Sequence, residues 1–147
     1  MSDHDVSLAP ATPADLDRVE RLLSANDLPV ADVRDDAVRV YVARDDGEMV
    51  GAGGLQAHGA SGLLRSVVVA ESHRGRGYGA AICDDLEARA RRAGVGTLYL
   101  LTTTAADFFR ARGYAPIDRA AVPEAVRATR QFSELCPATA TCMRREL

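Results

Sequence analysis

The fold is constrained most by one stretch of the chain, residues 63–79. It contains the branched apolar run Val-Val-Val at 67–69, which is typical of a buried strand, and it ends in Arg-Gly-Arg-Gly-Tyr-Gly at 74–79. An amphipathic helix is predicted directly afterwards, because apolar residues recur every three or four positions at Ile82, Leu86, Ala90 and Ala93. The sequence therefore predicts a strand, a glycine-rich turn and a helix in immediate succession.

The glycine-rich turn is suited to binding an anion. Gly75, Gly77 and Gly79 have no side chain to block the backbone, so N–H groups at the helix start can converge on a phosphate. Arg74 and Arg76 add positive charge. A solvated surface turn can carry the same residues, so the glycine pattern alone leaves both interpretations open.

Two common phosphate-binding loops are excluded by the sequence. All 18 basic residues are arginine, so the chain has no lysine for a Walker loop, for pyridoxal phosphate or for nucleophilic catalysis. The spacing Gly-x-Gly-x-Gly differs from the dinucleotide fingerprint Gly-x-Gly-x-x-Gly, and residues 95–97, Val-Gly-Thr, offer no acid for a ribose.

The pattern that remains, Arg74-x-x-Gly77-x-Gly79 between a strand and a helix, resembles the acyl-CoA pyrophosphate loop of the GNAT superfamily of N-acetyltransferases. The likeness extends over about residues 63–114 in element order and spacing. It implies that acetyl-CoA is the co-substrate and that its pantetheine arm pairs with the backbone of Val67 and Val69. The coenzyme contacts that it implies at the loop and beyond come from Arg74, Gly75, Arg76, Gly77, Tyr78, Gly79, Phe108, Phe109 and Arg112.

A narrower likeness concerns the acceptor. Residues 100–125 are similar to the acetyltransferase domain of N-acetylglutamate synthases, and with residues 131–143 the chain resembles arsenic-resistance-associated N-acetyltransferases. The resemblance implies an amino acid or a glutamate-like analogue as acceptor, with a role in resistance to a toxin or arsenical. Expected acceptor contacts are Arg65, Thr102 and Thr103.

Arg65 lies on a predicted buried strand, where alternation places it on the same face as Val67 and Val69. An unpaired buried charge is costly, so an anionic partner is expected. Either a substrate carboxylate or a structural ion pair fills this role, the structural candidates being Asp32, Asp35 and Asp36.

General acid and base are left unassigned. Many GNAT enzymes carry a Tyr acid where this chain has Phe109, and a Glu base where it has Leu63. His58 is either a proton shuttle or, more simply, a solvated hairpin residue, and Tyr114 is interpreted as core. Cys136 and Cys142 are interpreted as packing residues instead of a soft metalloid site, and no metal is predicted.

The predicted fold is a single α/β domain over residues 1–147, of the α+β GNAT-like type. It has a mixed, mostly antiparallel sheet of about seven strands, helices on both faces and a splayed parallel strand pair. Local signals add a helix capped by Thr12 and Pro13, a hairpin at Asp46-Gly47 and a capping box from Thr104 to Asp107. Further elements are predicted as a strand at 114–117, a helix at 123–132 and a last strand at 139–143.

Composition limits the partners. A net charge of -3 argues against nucleic-acid binding, and no apolar run approaches the ~18 residues of a membrane span. With no signal peptide and three cysteines, a cytoplasmic protein with reduced thiols is expected. A homodimer is expected from the family resemblance. Two other functions stay open: an acyl-CoA-binding sensor or subunit of low catalytic power, and a protein acetyltransferase.

Overall fold

The computed structural model describes residues 6–26, 28, 30–31, 33–34, 38–75, 77–129 and 140–147. Seven strands form one mixed sheet: β1 (Val6–Pro10), β2 (Arg39–Asp45), β3 (Glu48–His58), β4 (Ser61–Val69), β5 (Thr97–Thr102), β6 (Ala115–Pro116) and β7 (Thr141–Glu146). The helices are α1 (Pro13–Ala25), α2 (Tyr78–Arg92), α3 (Ala106–Ala111) and α4 (Glu124–Arg127), with 3₁₀ turns at Glu71–His73 and Arg119–Ala121. The strand order is β1-β2-β3-β4-β5-β7-β6. This architecture confirms the predicted fold class.

The parallel pair β4 and β5 separates partway along its length. Ser61 pairs with Thr97, Gly62 with Leu98 and Leu63 with Tyr99; no register pair joins the described parts of the two strands beyond that point. All other neighbours in the sheet are antiparallel. The second half of β4 therefore has a backbone edge that β5 does not cover, which confirms the predicted splayed pair.

A β-bulge in β4 sits next to this separation. Arg65 lies opposite Gly54 and Val68 opposite Ala52, so Ser66 and Val67 together face a single residue of β3. Ser66 has a φ of 57°, in the left-handed region. The extra residue changes which side chains share a face of the sheet.

The bulge corrects one expectation about Arg65. Val67 and Val69 pack against the cluster on the α2 side, whereas Arg65 is paired with Gly54 and lies on the opposite face. The prediction that Arg65 shares a face with the two valines is wrong, because simple alternation does not continue through a bulge.

The core has one hydrophobic cluster on the α2 face of the sheet and two on the other face. Leu64, Ile82, Leu86 and Phe109 belong to the first cluster. On the opposite face, one cluster packs against α1 and contains Val19, Val40 and Val68. A separate one packs against α4 and contains Leu63, Tyr99 and Val126. Helices thus cover both faces, as predicted.

The N-terminal cap predicted from local sequence is confirmed at α1 and wrong at α3. The Thr12 hydroxyl accepts from the Asp15 N–H at 3.1 Å, and the Asp15 carboxylate accepts from the Thr12 N–H at 3.0 Å. The predicted Thr104 capping box is absent from α3, whose N-cap is Ala105 with no side-chain cap bond. Thr102 Oγ1 instead accepts from the Ala105 N–H at 3.0 Å, because the helix starts later than the capping box requires.

The end of the chain also differs from prediction. Helix α4 ends at Arg127, and the last strand is Thr141–Glu146 instead of 139–143. Residues 130–139, over which the predicted helix and strand extended, lie outside the described residues. Strand β7 inserts between β5 and β6, where it makes six register pairs with β5, and this pairing sets its length.

Candidate functional site

The glycine-rich turn lies at the carboxyl end of β4, next to the separated strand pair. Gly75 and Gly77 have φ of 80° and 82°, where side chains are strained, and Gly77 is the N-cap of α2. Among the described residues, no side chain caps this helix end. The first backbone N–H groups of the 15-residue helix are therefore available to an anion, and the helix dipole favours one.

Arg74 connects this turn to two other elements. Its Nε donates to the Val69 carbonyl at 3.3 Å, and its guanidinium also donates to the Asn26 side chain, the C-cap residue of α1. The Arg74 guanidinium therefore lies beside the free end of β4. Arg76, the second predicted cationic contact, lies outside the described residues.

Gly79 and Phe108 form a wall of the site. A Cβ built on Gly79 would lie 3.5 Å from the Phe108 ring and 3.8 Å from a Val69 methyl. The backbone of Gly79 is not in the left-handed region, so a glycine here provides space rather than conformational freedom. Phe108 is 38% exposed, unusual for a large apolar residue. Phe108, Gly79 and Val69 thus present an apolar surface beside the glycine turn.

Of the side chains predicted to contact the coenzyme, Tyr78 and Phe109 are buried and Arg112 is half-buried. Tyr78 is 4% exposed, and its hydroxyl donates to Asp45. Phe109 is 7% exposed and packs edge-on against Phe108, with ring centroids 5.1 Å apart. Arg112 is held in ion pairs described below. Tyr78 can reach a ligand only through its backbone, whereas Phe109 supports Phe108 from within the core.

A buried polar cluster on α2 was not predicted. Glu87 is 2% exposed, and its carboxylate accepts hydrogen bonds from Arg112 at 2.9 Å, Arg145 at 3.0 Å and the Tyr114 hydroxyl at 2.8 Å. Arg112 also donates to Asp84 at 2.7 Å. The only signal in the sequence is an acidic residue beside Leu86 on the apolar side of an amphipathic helix, and its partners are 25 to 58 residues away.

Burial raises the pKa of two side chains beside Glu87. Burial raises the pKa of the Cys83 thiol to about 12. Burial and the adjacent Glu87 charge raise the pKa of the Tyr114 phenol above its ordinary value. Tyr114 is 2% exposed and belongs to the hydrophobic core, as the sequence predicted.

The predicted acceptor residues lie on two neighbouring strands and the turn after them: Arg65 is on β4, Thr102 ends β5 and Thr103 follows it. Arg65 is 2% exposed, and its Nε donates to Ser66 Oγ at 3.2 Å. Asp32, Asp35 and Asp36, its candidate structural partners, lie outside the described residues. Thr102 is half-buried with its hydroxyl engaged at the start of α3, and Thr103 is exposed.

The other candidate groups lie away from the glycine turn or are buried. His58 pairs with Ser61, six residues before Val67 and so about 20 Å away along the strand direction. Cys83 and Cys142 are free and buried, and Cys136 lies outside the described residues. In the part of the chain that the structure describes, no cluster of His, Cys, Asp or Glu could hold a metal. No helix in the same part is long and apolar enough to cross a membrane.

Comparison with known proteins links this geometry to a family. The sequence model described as "Acetyltransferase (GNAT) domain" matches residues 36–116. An amino-acid acetyltransferase of Pseudomonas putida (strain GB-1) is 41% identical over 56 residues. That match covers 38% of this chain but only 13% of the relative.

Solved structures share the whole fold. An N-acetylglutamate synthase from Neisseria gonorrhoeae, complexed with coenzyme A and N-acetyl-glutamate, has a TM-score of 0.81 at 20% identity, covering 97% of this chain and 35% of that one. A Mycobacterium tuberculosis protein in complex with CoA has a TM-score of 0.79 at 22% identity, covering 96% and 99% of the two chains.

Proposed function

The chain belongs to the GNAT family of acetyltransferases, and from this premise we propose that it transfers the acetyl group of acetyl-CoA to the amine of a small molecule. The observation that carries the proposal is the separation of β4 from β5 beside a glycine turn that opens α2. A slot with a free strand edge and an anion-binding helix end fits a molecule with an amide-bearing arm and a pyrophosphate.

The chain's residues would hold the coenzyme in three places. Backbone N–H groups of Gly75, Gly77 and Gly79, with the side chains of Arg74 and Arg76, would bind the pyrophosphate. The free edge of β4 at Val67 and Val69 would pair with the pantetheine amides. Phe108, which is exposed beside Gly79, would pack against the apolar part of the arm.

The reaction in this arrangement is direct attack in a ternary complex. The acceptor nitrogen forms a bond to the thioester carbon, the C–S bond then breaks, and the coenzyme leaves as a thiolate. The nitrogen loses one proton to solvent, and the thiolate takes up one proton from solvent. Backbone N–H groups near the β4 bulge would polarise the thioester oxygen.

The usual acid and base positions offer no proton-transfer group. Phe109 is 7% exposed in the core and Leu63 is fully buried, so neither position brings a polar side chain to the slot. A thiol of pKa ~8.5 leaves readily as thiolate, and general acid catalysis contributes perhaps ~10² to 10⁴ in rate. Positioning of the two substrates would therefore supply much of the acceleration.

The acceptor is proposed to be an amino acid or a close analogue that presents a carboxylate. Arg65, buried beside the bulge, supports this because a buried guanidinium can hold a carboxylate in a fork of hydrogen bonds. The names of the similar proteins, amino-acid acetyltransferase and N-acetylglutamate synthase, point to the same class. The resemblance to arsenic-resistance-associated N-acetyltransferases extends the proposed acceptors to glutamate-like toxins and arsenicals.

One alternative has a specific observation in its favour. A GNAT-fold protein that binds acyl-CoA as a sensor needs neither acid nor base, and the apolar, buried Phe109 and Leu63 are compatible with such a role. Thiol release separates the two functions, because a sensor binds the coenzyme without consuming it.

The test is release of CoA thiol from acetyl-CoA across a panel of amino acids, alkylamines and a lysine-containing peptide. Amine-dependent release above the rate without amine is the expected result, with amino acids ahead of simple alkylamines. Tight CoA binding with no release on any amine would support the sensor. Release that needs a peptide would redirect the proposal to a protein acetyltransferase.

A further inference from the structure

A polar seam, made of Gly54, Gln56 and Arg65, runs along the face of the sheet opposite α2. Gly54 and Arg65 are register partners, and Gln56 is paired with Leu63. Val40, next to Gly54 on β2, belongs to the α1-side cluster, whereas Leu63 belongs to the α4-side cluster. The seam thus lies where the two hydrophobic clusters of this face fail to merge.

Gln56 has an unsatisfied polar atom in this seam. The residue is 8% exposed, and its Oε1 is buried with no hydrogen-bond partner among the described residues. Leaving a buried acceptor unpaired is costly, and native proteins rarely do so without a ligand or a role. Leucine would fill a similar volume with no such cost, so packing alone does not explain a glutamine here.

Gly54 leaves room for the Arg65 side chain on this face of the sheet. A Cβ built on Gly54 would lie 3.3 Å from Arg65 Cγ, so the arginine stem crosses β3 at the position where no side chain stands. Residues on diagonal positions of paired strands, as Gln56 and Arg65 are, lie about 7–8 Å apart. This spacing fits a small molecule with a carboxylate at one end and a second polar group a few bonds away.

We infer that Gln56 determines acceptor specificity by hydrogen-bonding the terminal polar group of an amino acid whose α-carboxylate Arg65 binds. The inference rests on the proposed function and refines its acceptor to α-amino acids with a polar side-chain end. The carboxamide can present its carbonyl to an amide or hydroxyl donor, or its N–H groups to a side-chain carboxylate. An aliphatic side chain would leave Gln56 unpaired.

The test uses Gln56→Leu with L-glutamine, L-glutamate and L-norvaline as acceptors. In wild type, kcat/KM for glutamine or glutamate is expected to exceed kcat/KM for norvaline by about tenfold or more, because the aliphatic acceptor leaves a buried polar group unpaired. In Gln56→Leu that ratio should fall to near one, with KM for acetyl-CoA unchanged. The melting temperature should stay level or rise, since the variant removes an unpaired buried acceptor.

Leu64→Met provides the matched control, because Leu64 precedes Arg65 on β4 but lies in the cluster on the α2 face. It should leave the acceptor ratio as in wild type. Gln56→Met repeats the test with a different apolar side chain if Gln56→Leu does not fold.

Different outcomes separate the inference from the proposed function. If both Gln56 variants keep the wild-type preference for glutamine or glutamate over norvaline, the inference is overturned. It is also overturned if activity falls equally on all three amino acids and the melting temperature falls with it. Wild-type turnover of alkylamines but of no amino acid overturns the inference and leaves acetyl transfer standing. Acetyl-CoA binding without turnover on any amine overturns both.

Discussion

Ser66 determines on which face of the sheet the β4 side chains lie. Its φ of 57° is unfavourable for a residue with a Cβ, by roughly 1–2 kcal/mol. The bulge that it forms places Arg65 on one face and Val67 and Val69 on the other. Backbone strain is common at functional sites, and here it turns an arginine away from the face of the two valines.

Replacing Arg65 tests its role in acceptor binding. Arg65→Met should lower kcat/KM for carboxylate-bearing acceptors by more than about tenfold, because a charge-assisted pair contributes roughly 1.5–3 kcal/mol. Alkylamine turnover and affinity for acetyl-CoA should change little. Steady-state kinetics on both acceptor classes measure the effect.

Arg39→Met is the control for Arg65→Met, because Arg39 is an exposed arginine on β2 and its register partner Leu55 lies on the α2 face. A lower melting temperature for Arg65→Met with unchanged acceptor preference would identify a structural ion pair. In that case the amino-acid assignment would lose its physical support.

Helix α2, helix α3 and strand β7 are joined through the Glu87 carboxylate. Three donors converge on it, Arg112 and Tyr114 from the end of α3 and the turn after it and Arg145 from β7. Behind them Phe109 packs against Tyr114 with ring centroids 5.4 Å apart. Since Phe109 also contacts Phe108, the junction fixes the apolar wall beside Gly79. A short helix such as α3 needs such contacts, because its own hydrogen bonds are few.

Removing the Glu87 carboxylate should destabilise the fold. Glu87→Ala removes the buried carboxylate that two half-buried arginines share, and breaking a buried ion pair costs roughly 3–5 kcal/mol. Urea unfolding is the measurement. Asp107→Ala, which removes a carboxylate that is 99% exposed on α3, should change stability by less than about 1 kcal/mol. Similar stability of the two variants would show that the cluster contributes little.

The Cys83 thiol should make stability fall at alkaline pH. Its pKa is about 12 when folded and has an ordinary value of 9.0, so above pH 9 the unfolded chain loses the proton first. Stability present below pH 9 is therefore lost as pH rises towards 12, by roughly 1.4 kcal/mol at pH 10.

Urea unfolding at pH 7.5 and pH 10 tests this effect. The decrease in the free energy of unfolding from pH 7.5 to pH 10 should be smaller in Cys83→Ala than in wild type. Ile82→Val, which removes one methyl from the neighbouring buried residue, should keep the wild-type loss. An equal loss in all three proteins would mean that Cys83 does not contribute to the pH dependence.

At the scale of the molecule, the strand, glycine turn and helix around residues 63–79 were predictable because their signals are local. The hairpin at Asp46-Gly47 and the Thr12 cap are local in the same sense. The capping of α3, the bulge at Ser66 and the Glu87 cluster were not, because each depends on register or on contacts between distant elements. The splayed parallel strand pair was expected from the family resemblance.

Quaternary structure remains a prediction. β1 and β6 are the outer strands of the described sheet, and β6 has only two residues. A homodimer through a sheet edge would use backbone groups that these strands leave unpaired. Sedimentation equilibrium should give twice the chain mass of 15.7 kDa; a single-chain mass at micromolar concentration would contradict this expectation.

The central claim is that the glycine turn before α2 binds the acyl-CoA pyrophosphate, and calorimetric titration of acetyl-CoA tests it most directly. Gly77→Glu adds bulk and negative charge at the N-cap of α2, where the φ of 82° also strains any side chain. Gly94→Glu is the matched control, because Gly94 has a φ of 89° and open space around it after the far end of α2. The account predicts that Gly77→Glu loses at least about a hundredfold in affinity, the equivalent of two lost charge-assisted contacts, while it keeps a cooperative melt. Gly94→Glu should bind like wild type. Wild-type affinity in Gly77→Glu would contradict the account.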